Sequence, residues 1–339
     1  MQTILTKADD ASISQAAKLL QEGQIVAFPT ETVYGIAASA YCGSAVNKIF
    51  EAKGRPQDNP LIVHIDTVDM LDGLVSTVPE SAKKLAAAFW PGPLTMVMPR
   101  GPKVADEVCA GLDTVGIRMP SDPVARRLIT ACGLPLAAPS ANLSGSPSPT
   151  TAADVFADMD GRLPMILDGG SCQVGVESTV ITLAGEKPML LRPGYVTKEQ
   201  MEAVLGEEVL LNHAITEKLA EGEKARSPGM KYKHYAPKAD VTILDGSFEQ
   251  YAAYVKDHQE EGVWCLCFAG EEKSLPVPCV LYGKEGDGAA QARDLFTSLR
   301  LLDEKGAKTV YARCPEQDGV SLAVYNRLIR AAAYRVVKL

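Results

Sequence analysis

Short apolar runs that stop abruptly at polar islands set the terms on which this chain can fold. Ile25-Val26-Ala27-Phe28 runs into Pro29-Thr30-Glu31-Thr32-Val33-Tyr34-Gly35, and Val115-Gly116-Ile117 ends at Arg118-Met119-Pro120. Leu134–Ala138 ends at Pro139-Ser140-Ala141-Asn142-Leu143-Ser144-Gly145, Gly175-Val176-Glu177-Ser178 leads into Thr179-Val180, and Leu191 is followed by Arg192-Pro193-Gly194. Brief β-prone runs bounded by Pro, Gly and Asn are buried strands. A sheet delivers the ends of such strands to one edge, where the islands can meet. Most of their polar groups are hydroxyls, amides or arginines, and none is a conventional nucleophile beside a base.

One island is strongly cationic. Lys53-Gly54-Arg55-Pro56, followed by Asn59-Pro60-Leu61 and His64, gathers two cations, an amide and an imidazole. A lysine point charge with a guanidinium fork suits a polyphosphate, and a glycine lets backbone approach a ligand closely. The same tetrapeptide also reads as a solvated turn after a helix. Arg118 on a strand is either a core-edge salt bridge or a carboxylate clamp, His64 by itself is a satisfied strand histidine, and Ser140 with Asn142 suits an ordinary turn. No Walker A motif is present, so a bound nucleotide would be held by dispersed groups.

Capping-box spacing at Ser12–Gln15 predicts a first helix ending at Gly23, then a strand over Gln24 to Phe28. Further strands are expected at 61–65, 94–98, 115–119, 134–138, 165–167, 179–183 and 189–191, with helices near 44–52, 80–89, 122–132, 151–159 and 197–205. The result is an α/β domain with a mixed twisted sheet over residues 1–205, its last strands close enough in sequence to pair antiparallel. Periodicity fades over 206–238, a linker rich in basic and aromatic residues that suits a lid. From 239 to 339, strands at 241–244, 263–268, 279–282, 309–312 and 334–337 alternate with helices at 247–259, 288–305 and 320–333. That pattern predicts a smaller Rossmann-like parallel domain without the GxGxxG of a dinucleotide site.

At 339 residues the chain is long enough for two cores. Its formal net charge of −8 argues against a duplex nucleic-acid partner and confines any phosphate recognition to a local patch. Eight cysteines without CxxC spacing and only four histidines make a zinc site improbable on sequence grounds. Cys265 and Cys267 would share one face of a strand. No apolar run is long enough to span a bilayer, and a cytoplasmic, reduced setting is expected.

These islands in this order resemble the YrdC/Sua5 family of L-threonylcarbamoyladenylate synthases, densely over the first two hundred residues. Ser227-Pro228-Gly229-Met230-Lys231-Tyr232-Lys233-His234-Tyr235-Ala236-Pro237 resembles the linker of the two-domain Sua5 branch. The resemblance implies that Thr32, His64, Arg118 and Ser178 surround L-threonine, with Arg118 gripping its carboxylate. It places Asn59, Ser140, Asn142, Ser148, Thr114 and Ala138 on the ATP side, with Arg55 and Arg192 at the triphosphate and Tyr235 near the nucleotide. Lys53 and Arg55 would be the catalytic cations. The implied reaction joins ATP, L-threonine and bicarbonate, with Mg2+ held mainly through ATP, and releases pyrophosphate. The product would pass to a tRNA threonylcarbamoyl transferase complex. The competing reading is an RNA-binding module of YrdC-like fold, which the acidic net charge and the lack of an RNP aromatic pair or KH loop weigh against.

Overall fold

Asp9 opens the first helix and shows how local chemistry frames the sheet. In the computed structural model, which describes residues 2–217, 227–228 and 235–339, α1 (Asp10–Gln21) begins where the Asp9 carboxylate accepts from the Ser12 amide at 2.8 Å. The Ser12 hydroxyl accepts in return from the Asp9 amide at 2.9 Å. The box expected at Ser12–Gln15 therefore stands one turn earlier, because the charged Asp9 side chain reaches the open first-turn amides first. Ile13, Ala16, Ala17 and Leu20 then recur at helical spacing and are buried.

The described residues fall into two compact units, one drawn from 1–144, 148–173 and 177–231, the other from 145–147, 174–176 and 232–339. Strands of the first are β1 (Ile4–Lys7), β2 (Val26–Phe28), β3 (Gly35–Ser39), β4 (Ile62–His64), β5 (Leu94–Pro99), β6 (Thr114–Arg118), β7 (Leu136–Ala138), β8 (Met165–Asp168), β9 (Thr179–Thr182), β10 (Met189–Arg192) and β11 (Leu210–Leu211). Its further helices are α2 (Gly43–Lys53), α3 (Glu80–Phe89), α4 (Asp106–Cys109), α5 (Pro123–Cys132), α6 (Ala152–Met159) and α7 (Lys198–Leu205). Among the described residues the strands form one eleven-stranded sheet, in the order β1-β8-β2-β3-β7-β4-β6-β5-β9-β10-β11. The sheet is mixed as expected. β4 and β6 run parallel, β5 pairs antiparallel with β6, and β9 and β10 pair antiparallel across their short connection. β1, β3, β11 and the single turn of α4 were not expected from the sequence.

Helices α1 and α5 pack together over part of one sheet face, where Leu20, Leu128 and Ile129 meet Phe28, Ala37, Leu136 and Leu167. Further along the sheet Ile62, Val97, Val180 and Leu191 form a smaller apolar cluster.

In the second unit β12 (Asp240–Asp245), α8 (Phe248–Asp257), β13 (Val263–Cys267), β14 (Cys279–Leu281), α9 (Gly288–Glu304), β15 (Thr309–Arg313), α10 (Ser321–Ala331) and β16 (Val336–Lys338) follow in turn. Among the described residues the sheet order is β14-β13-β15-β12-β16, and every pair is parallel. The expected parallel α/β layering is present. β15 separates β12 from β13, whereas a dinucleotide-binding sheet keeps its first two strands adjacent. Most of the segment expected to act as a lid, 226–237, lies outside the described residues, which there include Ser227, Pro228 and 235–237.

Leu20 is 0% exposed within the α1 and α5 cluster. Leu20→Ala lowers the unfolding free energy by about 3 kcal/mol, measured as a shift of the urea midpoint at constant slope. A loss under about 1 kcal/mol would mean that α1 does not seal the sheet.

Candidate active site

Strand register builds the centre of the site. His64 of β4 pairs with Arg118 of β6, Thr95 of β5 pairs with Arg118 from the other side, and Val180 of β9 pairs with Thr95. Arg192, at the end of β10, pairs with Val180. One row across five strands thus carries His64, Arg118, Thr95 and Arg192, with Ser178 just ahead of β9. The two-residue period of β6 puts Thr114, Gly116 and Arg118 on one face. A Cβ on Gly116 would stand 3.2 Å from Thr95 Cγ2, so the glycine keeps the middle of that face open.

Arg118 is 3% exposed and meets Glu31, 8% exposed, at 2.8 Å between Nη2 and Oε1. Its Nη1 donates to Thr32 Oγ1 at 2.9 Å. Thr30 donates its own hydroxyl proton to the Val33 carbonyl at 2.7 Å, so the proton between the Thr30 and Thr32 hydroxyls, 2.8 Å apart, belongs to Thr32. Thr32 keeps its lone pairs for Arg118. Glu31 thus pairs with Nη2, while Arg118 Nε has no hydrogen-bond partner. Nε and Nη2 form the side edge through which a guanidinium grips a carboxylate. Burial works to raise the Glu31 carboxyl, but the Arg118 charge outweighs it and holds the group below its ordinary 4.5.

His64 is 4% exposed, stands edge-on to Phe28 at 6.0 Å, and its Nδ1 also lacks a partner. Burial and then the Arg118 charge push its pKa down to about 3, so the ring is neutral near pH 7. Ser178 shares a hydrogen bond with Thr95 at 2.8 Å and accepts from Arg192 Nη2 at 3.2 Å, while Arg192 Nε donates to the Ser178 carbonyl at 3.0 Å. Arg192 Nη1 donates to the Pro228 carbonyl at 3.3 Å.

The cationic island is arranged differently from its expectation. Lys53 ends α2, is 2% exposed, and its ammonium donates to the carbonyls of Ser140 and Asn142, each at 2.5 Å. Ser140 Oγ donates to Asn142 Oδ1 at 2.5 Å, so lysine, serine and asparagine lock one loop. Gly54 caps the helix with φ +61°, and a Cβ there would meet nothing within 4 Å. Left-handed backbone explains this glycine. Arg55 Nη2 donates to the carbonyls of Asn59 and Pro60 at 3.2 and 3.3 Å, and the Asn59 Oδ1 is buried without a partner. Ser148 donates to Glu177 Oε1 at 2.5 Å.

The loops are laced by Tyr34. Its amide donates to Pro149 O, its carbonyl accepts from Ala141 N, and its hydroxyl donates to Gly170 O at 2.7 Å. Thr114 lies four residues from Arg118 along β6, about 13 Å away, in a groove shared with Leu112 and Pro228. Ala138 pairs with Ile62 and offers no side-chain polar group. Tyr235 belongs to the second unit, where its ring packs at 5.1 Å from Phe296 and 6.0 Å from the Arg327 guanidinium carbon. Glu31, Thr95 and Glu177 belong to the constellation and were missed as candidates, since their partners are distant in sequence and no local spacing marks them.

The depressed His64 value has a measurable sign. An unfolded chain protonates this histidine below about 6.5, whereas the folded one holds it neutral down to about 3, so stability falls as pH drops through that window. His64→Gln removes this part of the slope between pH 6.5 and 4.5, above the ordinary carboxylate range. Urea midpoints along that interval check it, and an unaltered slope would clear His64 of the effect.

The family model described as Telomere recombination (Sua5, YciO and YrdC) matches residues 18–194, and that of the Threonylcarbamoyl-AMP synthase C-terminal domain matches 196–333. The chain is 48% identical over 335 residues to threonylcarbamoyl-AMP synthase of Bacillus subtilis, covering 97% of this chain and 95% of that one. Against the Pyrococcus abyssi enzyme of the same name it is 44% identical, covering 98% and 97%. The crystal structure of P. abyssi Sua5 complexed with L-threonine superposes with a TM-score of 0.92 at 41% identity, over 100% of this chain and 99% of that one. E. coli YciO, at 22% identity and a TM-score of 0.51 over 57% of this chain, shares the fold. The chain belongs to the Sua5/YciO/YrdC family, in the two-domain form that carries the Sua5 C-terminal domain.

Proposed function

We propose that this chain is a threonylcarbamoyl-AMP synthase, converting ATP, L-threonine and bicarbonate into L-threonylcarbamoyl-AMP, pyrophosphate and water. The observation that carries the reading is the side edge of a buried arginine, Arg118, whose Nε has no partner and whose Nη2 is met by Glu31 alone, in the strand row that carries His64 and beside Thr32. Its family setting supports it, since relatives of this name align along nearly the whole chain. In this reading the substrate carboxylate docks on Arg118. The threonine amine captures CO2, and the carbamate oxygen attacks the α-phosphorus of ATP, so that the bond to pyrophosphate breaks as the new P–O bond forms. No protein nucleophile is needed; the protein supplies proximity and fixed charge.

Arg55 and Arg192 face the growing pyrophosphate charge in the proposed arrangement. Lys53 acts through the Ser140–Asn142 loop that it fastens, with Asn142, Ser148, Asn59 and Thr114 on the nucleotide side. Among the described residues no grouping of His, Cys, Asp and Glu is arranged to hold a metal. Mg2+, carried on ATP oxygens, would add charge neutralisation there. The product is a mixed anhydride, and its consumer is an enzyme that transfers the threonylcarbamoyl group to tRNA adenosine, in the cytoplasm. No described helix is long and apolar enough to cross a membrane.

Pyrophosphate release from ATP and bicarbonate depends on L-threonine and is not restored by serine at the same concentration; release without threonine would end the reading. Arg118→Lys, which loses the bidentate edge, raises the KM for threonine about 10- to 100-fold with a small change in that for ATP. Arg55→Ala does the reverse, and equal effects on both substrates would dissolve the division. Glu31→Gln leaves the buried Arg118 charge uncompensated. The variant has a lower Tm than the parent, and L-threonine raises its Tm more, because the substrate carboxylate replaces the missing anion. Equal ligand-induced shifts would remove Glu31 from that role.

A further inference from the structure

The second unit holds a chemistry that the proposed reaction does not use. The two-residue period of β13 sets Cys265 and Cys267 on the same face, both 0% exposed. Parallel register places Cys279 of β14 directly beside Cys265. β14 is the edge strand of its sheet, and Cys279 is only partly covered. All three thiols gather with Tyr251 and Leu244 in one apolar cluster. Adjacent strands stand about 4.8 Å apart, inside the Cα separation of about 4.4–6.8 Å that a disulfide spans. Among the described residues no His, Cys, Asp or Glu grouping is arranged for a metal, which favours sulfur–sulfur chemistry over metal binding.

The three thiols are not equivalent. Cys279 Sγ donates to the Val277 carbonyl at 3.3 Å and is only partly covered, and the neighbouring Cys265 and Cys267 lower its pKa against the opposing pull of burial and Glu272. The neighbouring Cys279, with burial, pushes Cys265 and Cys267 up and keeps them as thiols. A partly exposed thiol in register beside a buried one is the arrangement of an attacking and a resolving cysteine.

We propose that Cys279 and Cys265 form a reversible redox pair that a hydroperoxide oxidises to a disulfide. Cys279 loses its proton to solvent, its thiolate attacks one peroxide oxygen, the O–O bond breaks, hydroxide leaves, and Cys279 becomes a sulfenic acid. The Cys265 sulfur then attacks the Cys279 sulfur, the S–O bond breaks, and the Cys265 proton leaves with the departing oxygen as water. Two thiols are oxidised by two electrons and the peroxide is reduced to water and hydroxide. The new bond fastens the edge strand β14 to β13, and an external dithiol reverses it.

The reduced full-length protein, treated with an equimolar amount of hydrogen peroxide near neutral pH, is alkylated and mapped by mass spectrometry with fragmentation between Cys265 and Cys267. The expected result is a Cys265–Cys279 linkage, a mass lower by about 2 Da, and recovery with dithiothreitol. Cys42→Ser leaves the response intact and Cys279→Ser abolishes it. In Cys265→Ala the oxidised Cys279 is trapped by dimedone as its sulfenic acid. Should either variant misfold, mapping of the unaltered chain decides by itself. A linkage to Cys267, or oxidation of Cys42 or Cys314 while Cys279 stays reduced, overturns the proposal.

Discussion

The buried Arg118 charge is the constraint around which the first unit is organised. Taking a guanidinium out of water costs several kcal/mol unless its donors and its charge are met. The chain meets it with a carboxylate and a hydroxyl, Glu31 and Thr32, from a loop 86 residues away at the nearer contact. That loop leaves β2, so the arginine can be satisfied only when β2 and β6 lie in the same sheet. β6 is held between β4 and β5, and a slip of one residue would turn Ile117 into the site and drive Arg118 to the opposite face. Register and ion pair therefore enforce one another.

Lys53 applies the same logic to the loops. Its ammonium closes on two backbone carbonyls of Ser140 and Asn142 that no sheet partner satisfies, and it does so from the C-terminal end of α2, where a cation is favoured by the helix dipole. Tyr34 then ties that loop to Pro149 and Gly170. The polar islands are thus fixed by backbone hydrogen bonds, leaving their side chains in set directions. A site that must restrain substrates without a covalent intermediate gains from such stiffness, since donors fixed beforehand need no reorganisation during reaction.

Much of this frame was legible in the sequence, because burial imposes periodicity. The strands at 94–99, 114–118 and 165–168 and the helices at 43–53, 80–89 and 123–132 carry dense apolar patterns bounded by Gly, Pro or a capping Asp. β3 escaped because Gly35-Ile36-Ala37-Ala38-Ser39 is built of small residues, which carry little strand signal and are buried by tertiary packing alone. β1 is largely exposed at the sheet edge and β11 has two residues, too little for a pattern. Site residues followed the same division. Thr32, His64, Arg118 and Ser178 were expected from the order of the islands, and the fold sets Thr32 and His64 against Arg118. The sequence could not reveal that Glu31 faces Arg118 or that Glu177 accepts from Ser148, since each pairing spans many residues and exists only after folding.

The charge distribution explains how an acidic chain can still handle a polyanion. A net charge of −8 is spread over the sequence, yet Lys53, Arg118 and Arg192 are all under 7% exposed. Exposed, these cations would be screened by salt within about 10 Å and would attract any polyanion. Buried, each acts over a short range through a medium of lower dielectric. Glu31 sharpens this selectivity, because it already neutralises Arg118. Only an anion that reaches the unpartnered Nε and competes with Glu31 at Nη2 gains by binding there. A planar carboxylate of a small amino acid has that geometry.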